Sequence, residues 1–146
     1  MSGWRCAGLA YRYPESSHPA VFDLSMEIPA GAATAVLGPN GSGKSTLLRL
    51  LLGVLSPSAG SAEFGGRPVA DWGREEMARA VGVVPQGEES VFPMSVRELV
   101  AMGRYPHLGP WRREREEDRR AGEEAMRRCD VPALAARPIQ TLSGGE

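Results

Sequence analysis

Eight consecutive residues, Gly38-Pro39-Asn40-Gly41-Ser42-Gly43-Lys44-Ser45, fill every fixed position of the pattern G-x-x-x-x-G-K-[ST]. Such a loop cradles phosphates in one local setting, with a strand leading in and a helix leading out. Its glycines let the backbone wrap closely and turn several N–H groups inward. The following helix adds the positive end of its dipole. Both flanks are expected here. Residues 32–37 are a short apolar run suited to a buried strand. Residues 45–55 carry Leu47, Leu48, Leu50, Leu51, Leu52 and Leu55, the content of a buried helix, with Gly53 weakening its end. Within the loop, Lys44 is the group to neutralise β- and γ-phosphate oxygens, Ser45 offers a hydroxyl to Mg2+, and Thr46 can hydrogen-bond a phosphate oxygen.

Charge usage supports the assignment of Lys44. Of 17 basic residues, 16 are arginine and Lys44 is the one lysine. A compact ammonium on a flexible stem reaches between phosphates in a way a planar guanidinium does not. The formal net charge of −1 gives no general attraction to nucleic acid or anionic lipid. No run of eighteen apolar residues is present to span a membrane, and the first residues lack the continuous apolar core of a signal peptide. Cys6 and Cys129 match no metal spacing and read as two free thiols of a cytosolic protein.

Along the chain, Trp4, Cys6, Leu9, Tyr11 and Tyr13 favour a strand over residues 4–13, followed by a turn over 14–19. Partial alternation over 21–28 predicts a half-buried strand, and 61–69 a hairpin turning at Gly65-Gly66. A short helix is expected over 74–80 and a short buried strand over 81–84, ending at Pro85. Ser95 followed by Glu98 predicts a capping box at the start of a helix reaching Gly103. Residues 112–129 read as a charged helix with a thin seam of Ala121, Ala125, Met126 and Cys129, laced with i, i+4 ion pairs. Strand–loop–helix units followed by a helical stretch suggest an α/β core with a helical insert. His18, His107, Trp72 and Trp111 read as surface or packing residues.

A phosphate loop alone leaves kinases, GTPases and many ATPases open, or a nucleotide-binding module without catalysis. Leu142-Ser143-Gly144-Gly145-Glu146 resembles the signature sequence of ABC-transporter ATPases as it stands. The resemblance implies that Ser143, Gly144 and Gly145 touch the γ-phosphate of a nucleotide held by a partner subunit, a second anion site at a helix start. Val83-Val84-Pro85-Gln86 is similar to the family's Q-loop, in which Gln86 would help to hold Mg2+ and the attacking water. An aromatic ahead of the phosphate loop stacks on adenine in the family; Tyr13 matches best, with Tyr11 as the alternative. The stretch 92–107 resembles the branch that imports ferric siderophores, haem and cobalamin.

The family implies an α/β P-loop NTPase with an antiparallel β subdomain and a helical subdomain. It divides the chain into a nucleotide-binding core over 1–93, a helical subdomain over 94–141 and the signature over 142–146. The implied cofactors are ATP and Mg2+. The implied partners are a second ATPase subunit in a head-to-tail dimer, integral-membrane permease subunits and, indirectly, a periplasmic or lipoprotein solute-binding protein, at the cytoplasmic face of the inner membrane. In relatives the signature is followed by a hydrophobic strand ending in aspartate and a catalytic glutamate, then a switch histidine; none occurs through Glu146. The chain therefore reads as the N-terminal part of a longer protein. On that reading, residues 32–37 would carry unpaired edges, and the isolated chain would be unstable and would not turn over ATP.

Overall fold

A computed structural model describes residues 3–86, 93–108 and 113–143. The chain forms two compact units, Met1–Met77 and Ala78–Glu146.

The first unit is built on a four-stranded antiparallel sheet. Its strands are β1 (Trp4–Tyr11), β2 (Val21–Ile28), β3 (Ala59–Phe64) and the two-residue β4 (Arg67–Pro68), in the order β2-β1-β3-β4. The alternating pattern of 21–28 is realised over its full length, with Trp4 opposite Ile28 and Cys6 opposite Met26. β3 and β4 form the expected hairpin around Gly65-Gly66, with Phe64 opposite Arg67. Trp4 and Phe64, cross-strand partners, stack with centroids 4.4 Å apart, and Trp72 leans on Phe64 at 5.3 Å. Trp72 is thus a packing residue, with the Arg67 guanidinium 5.0 Å from its ring. Trp111 lies outside the described residues.

Helix α1 (Lys44–Leu51) packs against β3 and buries Thr46, Leu47, Leu50 and Leu51. The leucine-rich stretch predicted a helix through residue 55. It stops earlier because Gly53 turns left-handed (φ 69°), and the Gly53 and Val54 amides bond back to the carbonyls of Leu50 and Arg49. That paired arrangement is a Schellman cap. Helix α2 (Arg74–Ala80) occupies its expected span.

Two expected strands do not form. Residues 32–37 are exposed and irregular, with Leu37 88% accessible, and residues 81–84 likewise lack strand pairing, with Val84 96% accessible. A buried parallel strand needs hydrogen-bonding neighbours on its edges, and among the described residues no strand pairs with either segment.

The second unit is helical. Helix α3 (Val96–Met102) starts at Ser95, whose hydroxyl accepts the Glu98 amide while Glu98 reaches back to the Ser95 amide, so the predicted capping box is present. Helix α4 (Glu116–Arg128) is charged as expected, with Arg120 and Arg128 pairing to Glu116 and Glu124 at i, i+4. Its inward face differs from the predicted seam. Met126 and Asp118 are buried, whereas Ala125 and Cys129 are exposed. The buried carboxylate was hidden among charges; it accepts from Arg104 Nε and from the Arg115 amide, both at 3.0 Å. Val96, Met126 and Ala135 form the core, joined by Val100, Val131, Leu134 and Leu142. The segment after α4 is tied to the start of α3: Val96 donates to the Arg137 carbonyl at 3.1 Å and Ile139 to that of Met94 at 2.9 Å.

Candidate functional site

The phosphate loop leads into α1 without a side-chain cap. Its N-cap is Gly43, at φ 87°, which makes no side-chain capping bond. The leading N–H groups of a helix have no intrahelical acceptor, so this end presents backbone donors and the positive end of the helix dipole together. Glycine is demanded at position 43 twice over. The positive φ suits it, and a Cβ placed there would stand 2.1 Å from the Ala20 carbonyl oxygen. The strand β2 thereby passes directly behind the loop and fixes its seat.

Lys44 folds back over the loop. Its ammonium donates to the carbonyls of Gly38 and Pro39, each at 2.7 Å, which holds the positive charge at the mouth of the glycine-rich turn. Ser45 on the same first turn is exposed, as are Asn40, Gly41 and Ser42. An exposed hydroxyl, an uncapped helix start and a held ammonium are groups that suit a polyphosphate with a hard divalent cation. Beside the loop lies an open depression of about 420 Å³ lined by Val21, Phe22, Leu24, Val36 and Leu37 together with the loop itself. Its apolar wall suits packing side chains rather than anions.

Thr46 is placed differently from Ser45. It is buried, and its hydroxyl lies 3.3 Å from the Tyr13 hydroxyl. The Arg49 guanidinium donates to the same Tyr13 oxygen at 3.4 Å. The hydrogen bond with Thr46, assisted by the Arg49 charge, holds the Tyr13 phenol below its ordinary tyrosine value. Tyr13 therefore stands next to the loop helix, and Tyr11 meets its ring edge-on with centroids 5.0 Å apart. Arg49 was not singled out from the sequence. Its spacing was a usable signal, since it lies three residues after Thr46 and four after Ser45 on one helix.

Gln86 and Ser143 belong to the second unit. Gln86 is exposed at the end of the irregular segment 81–86. Ser143 is exposed and follows Leu142, which packs against the Val96–Met126–Ala135 core, so the start of the signature is anchored on the helical unit. Gly144 and Gly145 fall outside the described residues. Tyr13, the phosphate loop and Thr46 come together within the first unit.

Comparison with known proteins identifies the family. The family described as ABC transporter matches residues 21–146. A hemin import ATP-binding protein of Pseudomonas putida is 43% identical over 130 residues, covering 89% of this chain and 49% of the relative. The ferric enterobactin transport ATP-binding protein of Escherichia coli is 41% identical over 124 residues, covering 85% of this chain and 46% of its own length. Among solved structures, a metal-chelate type ABC transporter in an inward-facing conformation aligns with a TM-score of 0.78 at 31% identity, covering 98% of this chain and 50% of that one. A nucleotide-free ATP-binding cassette aligns at 0.81 with 24% identity, a likeness of fold, covering 99% of this chain and 60% of that one. The chain spans about half the length of the curated relatives it matches. The fold is the mixed α/β architecture of these ATPases, with the antiparallel and helical subdomains expected from the sequence.

Proposed function

The chain belongs to the ABC transporter family, and on that premise we propose that it is the front part of an ATPase subunit that drives import of a metal chelate, a ferric siderophore or haem or cobalamin. The observation that carries this reading is the uncapped start of α1, with Lys44 held at 2.7 Å over the Gly38 and Pro39 carbonyls. Family membership displaces the kinase and GTPase alternatives. The relatives named for hemin import and ferric enterobactin transport support the choice of cargo.

In this reading Gly38 to Ser45 cradle the ATP phosphates through backbone N–H groups, and Lys44 moves from its carbonyls to the β- and γ-phosphates. Ser45 and Gln86 are the residues here that would hold Mg2+, which supplies charge neutralisation of the phosphates when bound. The Thr46 hydroxyl, which the motif offers to a phosphate oxygen, is engaged by Tyr13 in this structure, and Tyr13 offers its ring to adenine. Ser143, Gly144 and Gly145 complete the nucleotide site of a second subunit in a head-to-tail dimer. The general base and the Mg2+-organising aspartate would come from residues beyond those given, in a longer protein of which this is the N-terminal part. Residues 1–93 then serve as nucleotide-binding core and 94–141 as the helical subdomain. No helix among the described residues is long and apolar enough to cross a membrane, which fits a peripheral subunit on the cytoplasmic face of the inner membrane. There it would be docked on permease subunits fed by a solute-binding protein.

The test is ATP binding and hydrolysis by the full-length protein and its Lys44→Ala variant, with chelate uptake measured in cells carrying the complete transporter. Lys44→Ala should abolish hydrolysis and uptake together. Hydrolysis at the parent rate in that variant, or uptake that ignores hemin, ferric siderophore and cobalamin alike, would sink the proposal.

A further inference from the structure

The Tyr13 hydroxyl reaches the very helix that presents the phosphate loop. It lies 3.3 Å from Thr46 Oγ1 and accepts from the Arg49 guanidinium at 3.4 Å. Thr46 is only 6% exposed, so its hydroxyl must find a partner within the fold, and Tyr13 supplies it. Thr46 and Arg49 stand three residues apart on α1 and therefore share one face of the helix. On the other side, the Tyr11 ring meets Tyr13 edge-on at 89°. The Tyr13 carbonyl is also fixed, since it accepts the Ser16 amide at 3.0 Å. Backbone, ring and hydroxyl of Tyr13 are each held, and both groups that hold the hydroxyl rise from the phosphate-loop helix.

We propose that Thr46 and Arg49 are positioning residues that orient the Tyr13 ring for stacking on the nucleotide base, so that base platform and phosphate loop are joined through α1. The inference rests on the reading of Tyr13 as the base platform. A platform that works by flat apolar area alone would serve equally well as phenylalanine. The hydroxyl adds something only if its anchorage matters, and that separates the two ideas experimentally. The same anchorage explains why the phenol is held below its ordinary value, because Thr46 and Arg49 both favour the oxygen's negative form.

The experiment measures, in the full-length protein, the affinity for ATP and for inorganic tripolyphosphate, which has the phosphates and no base. Tyr13→Phe and Arg49→Met should each weaken ATP binding by about threefold to tenfold and leave tripolyphosphate binding unchanged. The double variant should be no weaker than Tyr13→Phe alone, since removing the hydroxyl already removes its contact with Arg49. In an ultraviolet titration read as the difference from Tyr13→Phe, Arg49→Met should move the Tyr13 ionisation upward. Tyr13→Phe keeps the ring volume, so it carries the test by itself should Arg49→Met melt early. Parent-like ATP affinity in Tyr13→Phe, with Tyr13→Ala impaired, would overturn the proposal and leave the platform reading standing. Parent-like ATP affinity in Tyr13→Ala would overturn the platform reading and this proposal with it. An equal loss of tripolyphosphate affinity in Arg49→Met would assign Arg49 to the phosphates and overturn its positioning role.

Discussion

Arg104 Nε and Asp118 Oδ1 are joined at 3.0 Å, and the other carboxylate oxygen accepts the Arg115 amide at the same distance. One buried carboxylate thus fastens the turn after α3 to the first turn of α4. The Arg115 amide, then the Arg104 guanidinium, hold Asp118 below the usual carboxylate range, and the Ser95 amide and hydroxyl do the same for Glu98. Groups whose folded values are depressed stabilise fully above the unfolded carboxylate value of about 4. That stability is lost as pH falls through the folded values. The helical unit should therefore weaken on acidification below about pH 4, and Asp118→Asn should flatten the acid limb of a urea-midpoint-versus-pH curve while lowering its neutral plateau.

Ser95→Ala should cost about 1 kcal/mol, because it removes the oxygen that accepts the Glu98 amide at 3.3 Å. Circular dichroism during denaturant unfolding reads the loss. A Ser95→Thr variant keeps a hydroxyl that accepts from the Glu98 amide and donates to its carboxylate, and should recover most of the stability.

Gly43→Ala should be far more damaging than its single methyl suggests. The added carbon would lie 2.1 Å from the Ala20 carbonyl oxygen, and the backbone there sits at φ 87°. Strain of this kind costs on the order of 1–3 kcal/mol, and relief requires moving either β2 or the loop. ATP affinity in the full-length protein should fall by about tenfold or more, whereas Gly73→Ala, whose added carbon meets only Glu76 Cβ at 4.0 Å, should leave binding intact.

Leu50 is 1% exposed beneath β3. Leu50→Ala should destabilise the first unit by about 2–5 kcal/mol, measured by thermal or urea unfolding. Leu48→Ala, on the exposed side of the same helix, should stay within about 0.5 kcal/mol.

Leu37 and Val84 provide a test of whether further strands complete this fold. Both are largely exposed in this chain, so Leu37→Lys and Val84→Lys should change its stability by no more than about 0.5 kcal/mol and reduce its aggregation in light scattering. In the longer protein, where the same segments would be covered strands, each substitution should cost several kcal/mol, on the order of 3 or more. Equal, small effects in both settings would refute the reading of this chain as the front part of a longer domain.

Local signals were legible in the sequence wherever the chain itself supplies the partners. The alternation of Val21 to Ile28 found β1, Ser95 found Glu98, and Gly65-Gly66 turned the hairpin. Residues 32–37 and 81–84 were read correctly as apolar and incorrectly as buried strands, because burial depends on neighbours that no pattern within a segment can provide. Asp118 was overlooked for the converse reason: composition cannot distinguish a solvated aspartate from one gripped by Arg104. Near the loop, the glycine-rich pattern marked the turn itself, but the bond of Arg49 to Tyr13 needed the fold, since the two lie 36 residues apart in sequence.

The posture of Lys44 has a thermodynamic corollary. An ammonium that already donates to two carbonyls at 2.7 Å meets an incoming phosphate by exchange, one set of acceptors replacing another. Calorimetry should then record a modest enthalpy for this residue's share of binding, with selectivity governed by how much better a dianionic oxygen competes than a neutral carbonyl.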